Sequence, residues 1–425
     1  MQVALAGFAA TSWSTWIVAG IATAGVILRP FAWPEFIWAV AGSGALVMLG
    51  LLPWREALHG VARGTDVYLF LVGMMLLAEV ARLEGLFDWL AAKAARLAEG
   101  SAPRLFALIF GVGTLVTVFL SNDATAVVLT PAVAAVIRAV EAKRPLPYLL
   151  ICAFIANAAS FVLPISNPAN LVIYGSQMPP LLRWLSFYTL PSAFAIGATF
   201  AVLRWTQRTQ LRETLVAAVT VPVLSAGGMM AATGIGLTAI ALLAASAADW
   251  SLGLSTFLAG IATLFLVRIR ARIGLFALVR DIPWGVIPLV AGLFVLVQAL
   301  DRTGVTGELA KLVAALVQRS EVEAAWLIGL TLGFGCNLMN NLPAGLLAGR
   351  VVELAQVPES VRAAVLISVD VGPNLSVTGS LATILWLTAL RREGLHVGAW
   401  QFLKLGALVM PPALVLAIGG MLLVR

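Results

Sequence analysis

Two stretches, "FLSNDATAVVLTP" at 119–131 and "NLMNNLPAGLL" at 337–347, set an amide beside an aspartate in the first and two adjacent amides in the second, inside apolar runs. Phe106–Leu120 is nearly all hydrophobic, and Ala124–Ile137 carries no charge. Apolar runs able to cross ~30 Å of hydrocarbon mark membrane spans. A polar, non-helical interruption at that depth is tolerated only beside protein or a wet cavity. The breaks therefore predict helices arranged around a polar interior. Composition agrees, with 61% hydrophobic and only 11% charged residues and a mean hydropathy of +1.00. A soluble domain carries about 25% charged residues, so a soluble enzyme is excluded.

Spans read near 13–28, 33–52, 65–83, 147–173, 184–203, 222–246, 251–267, 283–300, 361–387 and 398–424. Segments 104–141 and 322–350 are each an apolar helix pair with a polar tip, and both read as re-entrant hairpins. The fold class expected is an all-α polytopic membrane protein of about ten spans plus two hairpins. Met1–Ala10 lacks a basic n-region, so no cleavable signal peptide is expected. The net charge of +7 and pI near 10.0 read as loop cations that fix topology, not as a nucleic-acid surface. With the first hairpin opening to the cytoplasm, most of the 27 basic residues fall inside, including the linker Arg268, Arg270, Arg272 and Arg280.

The halves repeat in order. Residues 65–97 and 280–316 are each a span, a charged turn holding Gly85 or Gly304, and an amphipathic arm. The hairpins follow, with Asn122 and Asp123 matching Asn340 and Asn341. Then "IANAASFVLPISNPANLVIY" (155–174) matches "SVDVGPNLSVTGSLATILWL" (368–387), which sets Asn157 against Asp370. Matching spans are offset by an odd number, so the repeat is inverted. In such carriers the site lies near the midplane, where broken helices of both repeats meet. The expected domains are scaffold 1–103, transport 104–173, scaffold 174–321, transport 322–387 and a final scaffold span 388–425.

At each break the helix ends lose backbone partners. Ser121, Asn122, Ser166, Asn167, Asn170, Asn340, Asn341, Asn374, Thr378 and Ser380 bring short polar side chains there, with Asn157 nearby. Pro131, Pro164, Pro168, Pro343 and Pro373, with Gly372 and Gly379, keep the helix from closing. Such a lining suits a small hydroxylated solute or a cation. An aspartate at a span centre costs about 2.5–3.5 kcal/mol on insertion scales. Asp123 and Asp370 are therefore candidate proton carriers, with capping of a half-helix the bland alternative for either. Glu79 and Arg82 read as an ion pair one turn apart, and His59 and His396 as loop residues. Two distant cysteines, Cys152 and Cys336, form neither a disulfide scaffold nor a metal cluster. No cofactor is called for.

"FLSNDATAVVLTPAV", "FIANAASFVLPISNPANLVIY", "NLMNNLPAGLL" and "DVGPNLSVTGSLATILWL" resemble, in order and over nearly the whole chain, the arsenite/antimonite efflux permease (ArsB) family. More distantly the plan is similar to the ion transporter superfamily. The resemblance implies extrusion of As(III) or Sb(III) hydroxide for protons across the cytoplasmic (inner) membrane, in some bacteria with a separate ATPase subunit. It carries the site onto Asn122, Asp123, Ser166, Asn167, Asn170, Asn340, Asn341, Asp370, Gly372, Thr378 and Ser380. Two departures stand out: some members have an acid where this chain has Asn157, and some a lysine where it has Asn374. The first loss leaves fewer proton carriers, and the second is expected to act on Asp370. Cys336, four residues before Asn340, could approach arsenic, and Cys152 lies five residues before Asn157, but both read first as packing residues, as free cysteine more often is.

A sodium- or proton-coupled carrier of a small anion or dicarboxylate, built on the same architecture, is the alternative. No Arg or Lys lies at the breaks, which tells against an anion. An intramembrane enzyme would need a base beside Ser121 or Asp123, and none is placed there.

Overall fold

The computed structural model describes residues 2–217, 219–248, 250–271 and 280–424; Arg272 of the basic linker lies outside them. The described residues are 82% helical. Among the described residues the only β pairing is an isolated bridge between Ser101 and Thr214.

The first half runs α1 (Gln2–Leu28), α2 (Glu35–Met48), α3 (Trp54–Arg63), α4 (Thr65–Leu83), α5 (Leu86–Ala98) and α6 (Ala102–Phe119). After a break come α7 (Asn122–Ala124), a π-helical stretch Thr125–Leu129 and α8 (Thr130–Ala139). Then α9 (Leu146–Ala158) and α10 (Pro168–Tyr174) flank a 3-10 turn, Pro164–Ser166. Helices α11 (Leu181–Thr206), α12 (Ala226–Ala247) and α13 (Leu252–Ala271) lead to the second half. That half holds α14 (Val286–Arg302), α15 (Val305–Arg319), α16 (Glu321–Gly335), α17 (Asn341–Ala355), α18 (Glu359–Val371), α19 (Leu381–Arg392) and α20 (Ala399–Leu423).

By length and composition, five helices among the described residues can each cross a membrane: α6, α11, α12, Leu252–Ile269 within α13, and α20. Helices α14 and α15 together make a sixth apolar run, bent by 76°. The shortfall from about ten has local causes. Spans 147–173 and 361–387 are each divided into two short helices, and α2 is only 14 residues long. The stretch before Thr65 is not a loop but the amphipathic α3, which places His59 on a helix.

Both arms start from a glycine in the left-handed region, Gly85 (φ 73) and Gly304 (φ 82), a conformation a Cβ disfavours. Helix α5 buries Leu86, Phe87, Ala91, Ala94 and Ala95 against its neighbours. The core centres on α9 and α18, which are buried on every side from Pro147 to Ala158 and from Ser360 to Val371. Helix α9 is apolar nearly all round, as a buried helix is, whereas α18 carries Arg362 and Asp370 into the interior.

Loop contacts fix which ends lie together. Leu215 N donates to Gly100 O (2.9 Å) and Val216 N to Val140 O (3.0 Å), so residues 100 and 140 stand side by side. The Arg138–Glu393 pair joins the C-terminus of α19 to that end. Elsewhere the Ser360 hydroxyl donates to Glu321, while Tyr174 donates to Glu359, which gathers residues 174, 321 and 359. Asp281 meets Arg82 at 2.7 Å, and Arg82 also takes Glu79 as expected.

Candidate functional site at the helix breaks

Each broken helix restarts on a polar N-cap. Ser121 Oγ accepts from Ala124 N (3.2 Å), Asn167 Oδ1 from Ala169 N (3.0 Å), Asn340 Oδ1 from Leu342 N (3.4 Å) and Ser380 Oγ from Thr383 N (3.1 Å). Such caps are worth about 0.5–2 kcal/mol each. Asp123 is thus not the cap of its helix. Its backbone N–H goes to Asn122 Oδ1 at 2.9 Å, and its half-buried carboxylate has no hydrogen-bond partner among the described residues.

The four breaks converge. Asn167 Nδ2 donates to Asp370 Oδ1 at 2.5 Å, and Asn157 Nδ2 to Asn374 Oδ1 at 3.0 Å, with Thr383 Oγ1 at 3.3 Å. Both bonds join the first broken span to the second. Ser166 Oγ donates to Val118 O (3.0 Å), tying that span to α6. Asn340 Nδ2 donates to Thr378 O (3.2 Å) and Asn341 N to Gly379 O (2.8 Å), tying the second tip to its own broken span. Asn170 Nδ2 holds the turn before it through Ser160 O (2.9 Å), with Leu163 O and Pro164 O farther off. The side chain at position 374 bonds elsewhere than Asp370. The helix ends at Val371, and the following turn carries Asn374 toward Asn157 and the Phe154 carbonyl (3.0 Å).

Asp370 and Asn374 are completely buried, and Asn157 is 1% exposed. Buried polar atoms normally find partners. Three oxygens here have none among the described residues: Asp370 Oδ2, Asn157 Oδ1 and Asn170 Oδ1. Ser160 stands beside Asp370, yet its hydroxyl is given to Asn157 O at 2.7 Å. All three unmet atoms are acceptors. Protein chemistry of that kind is completed by O–H donors, a proton or a cation.

Several contributors were not singled out from sequence. Asn337 donates to Gly372 O (3.0 Å) and accepts from Ser376 Oγ (2.8 Å), and its carbonyl accepts from Thr378 Oγ1 (3.1 Å). The run "CNLMNN" contained the signal, three amides in five positions. The π-helical stretch follows from Pro131, which offers no N–H. Thr130 Oγ1 donates to Ala126 O at 2.7 Å beside it.

Gly372 serves by size. A Cβ there would stand 2.3 Å from Gly333 O and 2.8 Å from Cys336 Sγ. Cys336 is buried, with Gly333 O at 3.4 Å, and Cys152 is buried elsewhere in the core. Among the described residues no three His, Cys, Asp or Glu gather as a metal site.

Sequence and structure comparisons agree with this architecture. The CitMHS profile, described as citrate transporter, matches residues 15–372. An arsenical pump membrane protein of Yersinia enterocolitica is 23% identical, over 83% of this chain and 85% of its own length. One from Escherichia coli is 25% identical over the same shares. The solved YdaH transporter of Alcanivorax borkumensis superposes with a TM-score of 0.54 at 18% identity, covering 87% of each chain.

Proposed function

Since the chain belongs to the citrate transporter (CitMHS) family, we propose that it exports trivalent arsenic and antimony hydroxides across the inner membrane by proton antiport. That it is a multi-pass membrane transporter follows from the family and the apolar helices. The substrate reading draws on relatives named arsenical pump membrane proteins. It rests above all on one observation, the three buried acceptor oxygens without partners at the breaks. Arsenous acid is neutral and offers three O–H donors, which such acceptors suit and an anion's oxygens do not.

In this reading 104–141 and 322–350 are re-entrant hairpins of an inverted repeat. The adjacency of residues 100 and 140 supports the first, and the Ser360–Glu321 bond, joining the entry of α16 to the start of α18 just after α17, supports the second. The transport domains 104–173 and 322–387 move against the remaining scaffold. Protonation of Asp370, and secondarily Asp123, from outside releases substrate, and deprotonation inside permits reloading. Asn122, Ser166, Asn341, Thr378 and Gly372 shape the chamber rather than take protons. A separate ATPase subunit is an optional partner. Expression in an efflux-deficient host is expected to raise arsenite tolerance and lower cellular arsenic; unchanged arsenic content contradicts the reading.

The family description favours one second reading, a cation-coupled carrier of a small carboxylate. The spare acceptors then coordinate sodium instead of hydroxyl groups. Sodium-dependent uptake of a di- or tricarboxylate into proteoliposomes, without arsenite transport, selects it.

A further inference from the structure

A cavity of about 690 Å³ opens away from the breaks, at the bundle end that carries Tyr174, Asp301 and Glu353. Residues of α4, α10, α14 and α17 wall it, and Arg362 of α18 lines it. Five of its six charged side chains are matched. Arg350 meets Asp301 (3.0 Å) and Glu353 (2.9 Å). Arg63 lies 3.7 Å from Glu353, and Asp66 accepts from the Ser251 hydroxyl and from Gly253 N (3.1 Å).

Arg362 is the exception. It is 8% exposed, its Nε is buried without a partner, and among the described residues its side chain makes no hydrogen bond or ion pair. Its one favourable contact is the Tyr174 ring, 5.5 Å from the guanidinium carbon. Glu359, one turn earlier, gives its carboxylate to the Tyr174 hydroxyl instead. A buried guanidinium normally has a counter-charge, because desolvating it alone is costly. A ring face offsets only part of that cost.

We propose that this cavity is a binding site for a small oxyanion, held bidentately by the Arg362 guanidinium. The planar fork matches two oxygens of a carboxylate or phosphate-type group. Gln177 and Gln298 in the lining supply further donors. The three acids at the wall, already satisfied by cations and hydroxyls, disfavour a highly charged ligand, so one singly or doubly charged anion fits. The site is separate from the break residues and stands whichever solute they carry.

The test is thermal unfolding of the full chain in detergent, titrated with sodium acetate or with sodium phosphate, and with sodium chloride at matched ionic strength. A saturable rise in Tm with acetate, phosphate or both, absent with chloride and lost in Arg362→Gln, is expected. The responding anion tells carboxylate from phosphate. No rise with either, an equal rise with chloride, or an undiminished rise in Arg362→Gln overturns the proposal. If Arg362→Gln does not fold, Arg362→Lys decides: it keeps the charge but not the fork. About tenfold weaker binding supports the site, and unchanged affinity refutes it.

Discussion

Asn157 and Asn374 face each other across the centre of the bundle, amide to amide at 3.0 Å, although 217 positions separate them in the chain. They are also the two positions at which the family resemblance places an acid and a lysine in other members. The two departures thus fall on one contact, which in this chain is a neutral amide pair. Its effect falls on the joint between the two broken spans, while Asp370 keeps its own partner, Asn167.

That pairing makes a cycle testable. Asn157→Glu alone buries an uncompensated carboxylate at a 1% exposed site and is expected to cost about 3–5 kcal/mol. Adding Asn374→Lys should restore part of the loss, with a coupling energy of about 1 kcal/mol or more. Unfolding of the two singles and the double in detergent measures it, and strict additivity refutes the contact.

Gly372→Ala is expected to lower stability by about 1–3 kcal/mol, since the new Cβ meets a carbonyl oxygen that cannot move without shifting α16. Gly111, in α6, has nothing within 4 Å of an added Cβ. Gly111→Ala should therefore be neutral or stabilising by up to about 1 kcal/mol. Thermal shifts of the two variants compare them directly.

If hydroxyls and amides hold the substrate, the thiols are dispensable. Cys336 is enclosed between Gly333 O and Ser368 O. Cys336→Ala should retain arsenite transport within about twofold, as expected for a small, packing-only change. Loss of transport in a variant with unchanged Tm assigns the thiol a binding role.

Much of this was legible in the sequence. The span 65–83 coincides with α4, and the polar breaks fall where Ser121, Asn167, Asn340 and Ser380 restart helices. Pro, Gly and Asn carry that information locally, through missing donors, missing Cβ atoms and capping side chains. What sequence left open was partnership. Nothing local shows that Asn374 turns to Asn157 rather than to Asp370, because the direction depends on where the helix ends. Helix α3 was missed for a related reason: its residues are polar enough to read as a loop, and only packing makes them a helix. The unpaired Arg362 was likewise invisible, since pairing is a property of the folded neighbourhood.

The central claim is that Asp370, buried with one oxygen on Asn167 and the other free, carries the coupling proton. Everted vesicles containing Asp370→Asn should take up no arsenite in response to a pH gradient, while the protein inserts and unfolds at a Tm near that of the parent chain. Full pH-driven uptake by a well-folded Asp370→Asn variant would contradict the account.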